Sequence, residues 1–158
     1  MAAPTPTARQ TPLGIWTPTG FRTKITFFHN PNISLWEVAV KPAGTTNGEP
    51  IPQDTMWNTR RNIKRPQPLI DGTPAQITFQ YDPQLQSQID ALCGVETTIT
   101  EAYYDGGTKA YYGYLQTVEF DPLERGQPGK GTATIIQTNW DYVNRVEAGP
   151  VWATVAGS

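Results

Sequence analysis

"ETTITEAYYDGGTKAYYGYLQTVEF", residues 96–120, decides how the rest of the chain is read. Two runs of β-branched, aromatic and polar residues flank Asp105-Gly106-Gly107. A period of two puts successive side chains on opposite faces of a strand, and a Gly-rich turn between two such runs is a hairpin signal. The pattern predicts a long hairpin. Its Tyr103, Tyr104, Tyr111, Tyr112 and Tyr114 form an aromatic cluster suited to cross-strand packing and subunit contact, or to stacking against sugars or bases.

Strands continue outward on both sides. "AQITFQY" (75–81) alternates, with Ile77 and Phe79 on one face. "DPQLQSQIDALCG" (82–94) reads as the one helix. Asp82 is a good N-cap, Pro83 suits the first helical position, and Gly94 fits just past the end. Leu85, Ile89, Leu92 and Cys93 make one apolar stripe, which places Cys93 in the core as a small hydrophobe. In "FRTKITFFHNP" (21–31), Ile25 and Phe27 face one way and Lys24, Thr26 and Phe28 the other. In "SLWEVAVKP" (34–42), Trp36, Val38 and Val40 oppose Leu35, Glu37 and Ala39. Thr132–Thr138 is the last expected strand. It runs without a turn signal into the polar-aromatic tail "NWDYVNRVEAGP" (139–150).

Two stretches do not fit a compact sheet. Residues 1–20 are rich in proline and read as an extended arm, in which Trp16 needs a docking place. Residues 41–56, "KPAGTTNGEPIPQDTM", are a long excursion without periodicity, of the kind that is functional in compact domains. "MWNTRRNIKRP" (56–66) then reads as a strand holding Arg60, Arg61, Lys64 and Arg65, four of the twelve cationic side chains. On a strand, Arg60, Asn62 and Lys64 share one face while Arg61, Ile63 and Arg65 share the other. Such a split favours pairing with carboxylates such as Glu119, Asp121 and Glu124, on a neighbouring chain, over one phosphate-binding patch.

The fold class is therefore mainly β, with one short helix at about 82–93, long loops and arms. The arm is 1–20, a single domain spans 21–138 with its long loop at 41–58, and 139–158 is a C-terminal extension. A length of 158 residues favours one domain. The formal charge of -2 argues against a dedicated nucleic-acid binder and against an acidic disordered chain. One cysteine cannot form an internal disulfide. The N-terminus lacks the pattern of a secretory signal, and no apolar run reaches the length of a membrane span.

Catalytic patterns are weak. His29, the single histidine, sits at a strand end, and no nucleophile elbow accompanies the serines. One His and one Cys cannot build a zinc site of the usual kind. "GQPGKGT" (126–132) resembles a phosphate loop, but Gly131 separates Lys130 from Thr132 and a strand follows where a helix is required. The carboxylates are scattered. No catalytic, metal-binding or cofactor-binding residue is assigned.

Taken in order, these segments resemble the major tail (tail tube) proteins of long, non-contractile-tailed bacteriophages. The resemblance covers nearly the whole chain and is carried most by "YGYL" (112–115) running on to Phe120, and by Ala133–Asn139 leading into "NWDYVNRVEAGP". It implies a β-sandwich or rolled barrel, in a structural virion protein that forms hexameric rings with a shared inner β-barrel, stacked into a tube. It implies no enzyme activity and no cofactor. The implied partners are copies of the chain itself, the tape-measure protein, and tail-tip and tail-terminator proteins. Double-stranded DNA would pass through the lumen without specific binding, and no membrane insertion is implied. The implied location is the virion tail, assembled in the host cytoplasm. On this reading Trp16, Trp57, Arg60, Arg61, Lys64, Arg65, Trp140, Tyr142, Arg145 and Trp152 belong to subunit interfaces. Aromatic anchors supply most contact energy at such surfaces, and the tail 139–152 is expected to leave its own domain for a neighbour. DNA must slide, so the cations are not all expected to face inward. The alternatives are a monomeric carbohydrate-binding sandwich, a tube protein of a contractile tail or secretion system, and a hydrolase using His29.

Overall fold

A computed structural model describes residues 23–29, 33, 35–103 and 107–153. The arm 1–20 with Trp16, together with Tyr104, Asp105, Gly106 and residues 154–158, lies outside the described residues.

The described chain is mainly β with one short helix. Its centre is the expected hairpin: β8 (Thr97–Ala102) pairs with β9 (Thr108–Phe120), from Thr97 opposite Gly113 to Ala102 opposite Thr108. Alternation does what the sequence promises. Thr97, Ile99 and Glu101 point into the core from one strand; Lys109, Tyr111, Gly113 and Leu115 do so from the other. Around it, β1 (Lys24–Phe27), β2 (Glu37–Lys41), β7 (Ala75–Gln80), β10 (Lys130–Gln137) and β13 (Val151–Ala153) complete a seven-stranded antiparallel sheet. The order is β1-β8-β9-β10-β7-β2, with β13 also on β9. Ile25, Phe27, Ile77, Phe79, Ile99, Tyr111, Leu115, Ala133 and Ile135 form its core. Each fully buried Ile or Phe contributes roughly 1.5–3 kcal/mol of transfer free energy.

The sheet is rolled, and no ladder closes it. Its two edge strands meet through a side chain: the Ile25 amide of β1 donates to Glu37 Oε1 of β2 at 3.3 Å. The helix α1 (Pro83–Leu92) follows its signals. Asp82 Oδ1 accepts from the Gln84 amide at 3.0 Å, Pro83 opens the helix, Ile89 and Leu92 are buried, and Gly94 takes φ +76°.

Four expectations need correction. Cys93 is exposed rather than packed in the core, because it caps the helix with ψ 124° and its side chain leaves the stripe of Leu85, Ile89 and Leu92. The face pattern of 34–42 is broken at Val38, where the pairing with β7 shifts register and leaves Val38 half exposed. "MWNTRRNIKRP" is not a strand throughout. Only Lys64–Arg65 (β5) is, while Arg60 and Arg61 lie in the turn before it. Finally, β10 is not the last strand. Trp140–Asp141 (β11), Val146–Glu147 (β12) and β13 follow, and β13 pairs with Thr108–Ala110 of its own β9. The segment 140–153 thus turns back onto the chain it comes from.

Candidate assembly surface

The excursion after β2 has an order that hydrophobic periodicity hid. β3 (Thr45–Asn47) pairs with β6 (Ile70–Gly72), and β4 (Ile51–Pro52) pairs with β5. Between these pairs and the sheet, the Thr73 amide donates to the Gly44 carbonyl oxygen at 3.0 Å and the Gly44 amide donates to the Thr73 hydroxyl oxygen, Oγ1, at 2.8 Å. The register of β2 on β7, Lys41 opposite Gln76, continues to Thr45 opposite Gly72 and, one position shifted, to Ile51 opposite Arg65. Residues 36–80 are therefore one long hairpin. Its base lies in the sheet and its outer part projects as a two-stranded ribbon.

The ribbon has no core of its own. Ile51, Ile63, Leu69 and Ile70 are exposed, Trp57 is 88% exposed and Met56 is 97% exposed. Its tip is held by polar contacts alone. Asp54 Oδ1 accepts from Asn58 Nδ2 at 2.8 Å and from the Ile63 amide at 2.6 Å. A lone two-stranded ribbon is marginal in water, so one that carries this much exposed apolar surface is built to be covered.

What fixes the ribbon to the sheet is a buried polar cluster. Glu101 and Lys109 oppose each other across the β8–β9 hairpin and are almost fully buried. Glu101 Oε1 accepts from the Ala43 amide at 3.1 Å and from the Tyr111 hydroxyl at 3.0 Å, and Oε2 accepts from the Tyr103 hydroxyl at 2.7 Å. The Lys109 ammonium donates to the Ala43 carbonyl oxygen. Two side chains thus take both backbone groups of the residue where the ribbon leaves the sheet. Burial pushes the Lys109 amine below the usual lysine range, and the facing Glu101 charge partly opposes that shift. Burial, and then the Glu101 charge, push the Tyr111 hydroxyl far above its usual range. Trp152 of β13 lies over the same ammonium, with its ring centroid 4.9 Å from Nζ, a cation–π arrangement.

The second surface is the corner 137–150. Asn139 and Arg145 adopt left-handed conformations at φ 54° and 57°. Asp141 holds the turn between them. Its Oδ1 accepts from the Val143 and Asn144 amides at 2.9 and 3.1 Å, and its Oδ2 from Asn144 Nδ2 at 2.7 Å. Those bonds, led by the Asn144 amide, hold the carboxyl below its usual range, and the Tyr112 hydroxyl adds to them. A groove of about 1080 Å³ runs between this corner and the ribbon base, lined by Leu69, Ile70, Trp140, Glu147 and Pro150 among others.

The interface residues expected from sequence divide into two groups. Trp57, Arg60, Arg61, Lys64 and Arg65 lie together on the ribbon's outer end, all exposed. Trp140, Tyr142, Arg145 and Trp152 lie on the corner and on β13. There Trp140 borders the groove, the Tyr142 ring meets Tyr112 edge-to-face at 5.9 Å, Arg145 is exposed and Trp152 covers Lys109. Among the described residues the hairpin tyrosines are divided between two faces. Tyr111 is in the core and, with Tyr103, turns its hydroxyl to Glu101, whereas Tyr112 packs against Tyr142. His29 is an exposed turn residue whose amide donates to Thr97 Oγ1 at 2.9 Å. Sequence reading missed Glu101, Lys109 and Asp141. The first two carried a signal: each charge falls in phase with the buried positions of its strand.

No protein-family model matches the chain, and no curated protein matches it in sequence. Solved structures do match in fold. A chain of the anti-feeding prophage baseplate, a sixfold-symmetrised cryo-electron microscopy structure, has a TM-score of 0.62 at 11% identity, covering 90% of this chain and 99% of that one. A chain of the native gene transfer agent virion also reaches 0.62, at 6% identity, covering 87% and 100%. The SPP1 tail tube subunit gives 0.54 at 12% identity, covering 88% and 80%. The fold is thus one shared by chains of baseplate, transfer-agent and phage tail tube assemblies.

Proposed function

We propose that this chain is a structural tail tube protein, assembling as stacked hexameric rings into the tube of a non-contractile phage-type tail. The observation that carries the reading is the projecting ribbon, with Met56, Trp57 and its apolar flanks exposed on an element too thin to bury them. The fold it shares with tube and baseplate chains, some from sixfold-symmetric assemblies, supports the same reading. The choice of a non-contractile tail rests on the sequence resemblance.

In this role the chain does no chemistry. The rolled sheet supplies the wall, the Glu101–Lys109 cluster fixes the ribbon's root, and ribbon and corner meet other copies. The tape-measure protein and double-stranded DNA occupy the lumen in transit, and tail-tip and tail-terminator proteins bound the tube. The product is a virion tail. Negative-stain electron microscopy of the purified chain over a concentration series, with sedimentation velocity, tests this. The expected result is hollow rings or tubes above a threshold concentration. A species that stays monomeric at every concentration and binds glycans would favour the carbohydrate-binding alternative.

A further inference from the structure

The outer end of the ribbon is strongly cationic. Arg60, Arg61, Lys64 and Arg65 share this end of the ribbon with the exposed Trp57 and Met56, and all four cations are exposed. Among the described residues none of them has an ion-pair partner. Of the two carboxylates on this part of the ribbon, Asp54 is engaged with Asn58 and Ile63 inside the tip, and Glu49 is exposed just before β4.

An acidic counterpart lies at the other end of the same sheet. Glu119 is the last but one residue of β9, and Asp121 and Glu124 follow in the connection to β10; all three are exposed, as is Leu123 at 70%. Arg125 and Lys130 are the cations beside them, and the Asp121 amide donates to the Lys130 carbonyl oxygen. The strand β7 relates the two places. The ribbon joins it at Ala75, while its far residue, Gln80, pairs with Lys130 at the acidic end. Six strand residues set these ends roughly 20 Å apart, and the ribbon extends away from the acidic end. Tip and acidic ridge on one chain therefore face in opposite directions.

Complementary patches at opposite ends make a heterologous contact, and one directed along an axis repeats from copy to copy. Resting on the tube reading above, we propose that the cationic tip of one copy seats on the Glu119–Asp121–Glu124 ridge of the next copy. Trp57 and Met56 then cover Leu123 inside a ring of opposite charges. The apolar centre favours a protein partner over duplex DNA, since phosphate contact has no use for an exposed Trp beside Met. The contact is consequently salt-sensitive, because charges near a surface are screened over about 8 Å at physiological ionic strength.

The experiment is a charge exchange on the full chain. One variant carries Arg60→Glu and Arg61→Glu; the other carries Glu119→Lys and Glu124→Lys. Circular dichroism checks that each folds, and sedimentation velocity measures the assembly threshold. Each variant alone is expected to raise the threshold by roughly tenfold or more. An equal mixture of the two is expected to assemble near the wild-type threshold, because each tip then meets an opposite ridge. Wild-type assembly with unchanged thresholds in both variants would overturn this contact and leave the tube reading standing. So would binding of the monomer to a short DNA duplex that the Arg60/Arg61 variant loses while assembly is untouched. A wild-type chain that never associates contradicts the tube reading itself.

Discussion

Lys109 and Ala43 stand 66 positions apart in sequence, and the Lys109 ammonium donates to the Ala43 carbonyl oxygen inside the rolled sheet. Glu101, directly across the hairpin, takes the Ala43 amide. A backbone residue is thus gripped on both sides by a buried pair of opposite charge. Removing one partner of such a pair leaves an uncompensated charge in the core, at a cost of about 3–5 kcal/mol. Lys109→Met is therefore expected to destabilise the fold by about 3 kcal/mol in urea unfolding. The double variant Glu101→Gln, Lys109→Met is expected to recover part of that loss. A Lys109→Met change of less than about 0.5 kcal/mol, the range of an ordinary surface substitution, would contradict the clasp.

Glu37 joins the two edges of the sheet through the Ile25 amide. Glu37→Ala is expected to cost about 1 kcal/mol, a typical net hydrogen bond. It is also expected to speed hydrogen exchange at Ile25 selectively. Unchanged exchange there would mean that the rolled shape holds without the bridge.

Gly113, in the middle of "YGYL", has no room for a side chain. A Cβ there would strike the backbone oxygen of Ile136 on β10, which cannot step aside as a side chain can. Gly113→Ala is expected to cost about 2 kcal/mol through strand displacement. Gly149→Ala, where a Cβ would meet nothing within 4 Å, is the control and is expected to be near neutral. Equal thermal melting of the two variants would refute the packing argument.

The corner is acid-sensitive. Asp141 has a folded-state pKa below its ordinary value because its carboxylate accepts the Asn144 and Val143 amides, the Asn144 side chain and the Tyr112 hydroxyl. A depressed carboxyl contributes stability that is fully present above its ordinary range and is lost as pH falls through the folded value. Amide exchange over 141–148 is therefore expected to accelerate below about pH 4, close to the ordinary carboxyl value. Asp141→Asn is expected to remove that pH step. A step that persists in the Asp141→Asn variant would assign it to another carboxyl.

The sheet and helix were legible in the sequence because local rules governed them. Alternation marked Ile25 and Phe27, Ile77 and Phe79, and the 96–120 hairpin, while Asp82, Pro83 and Gly94 marked the helix ends. The ribbon was not legible. A two-stranded element exposed on both faces has no apolar alternation to show, and its register is inherited from β2 and β7. The return of β13 to β9 was hidden for a related reason: Val151, Trp152 and Ala153 are too few to show a period, and their partner lies about forty residues upstream. Grouping Trp57 with Arg60, Arg61, Lys64 and Arg65 on one surface was within reach of sequence. The clasp needed the pairing of Glu101 with Lys109, and that depends on the turn that sets the hairpin's register.

The most direct test of the account replaces residues 46–71 by a tight turn of about two residues, which removes the ribbon but keeps the Gly44–Thr73 pair and the Ala43 clasp. Sedimentation velocity and negative-stain microscopy then compare this chain with the wild type at equal concentrations. The account predicts a folded monomer with the wild-type circular dichroism of the sheet and no rings or tubes. Tubes forming at the wild-type threshold without the ribbon would contradict it.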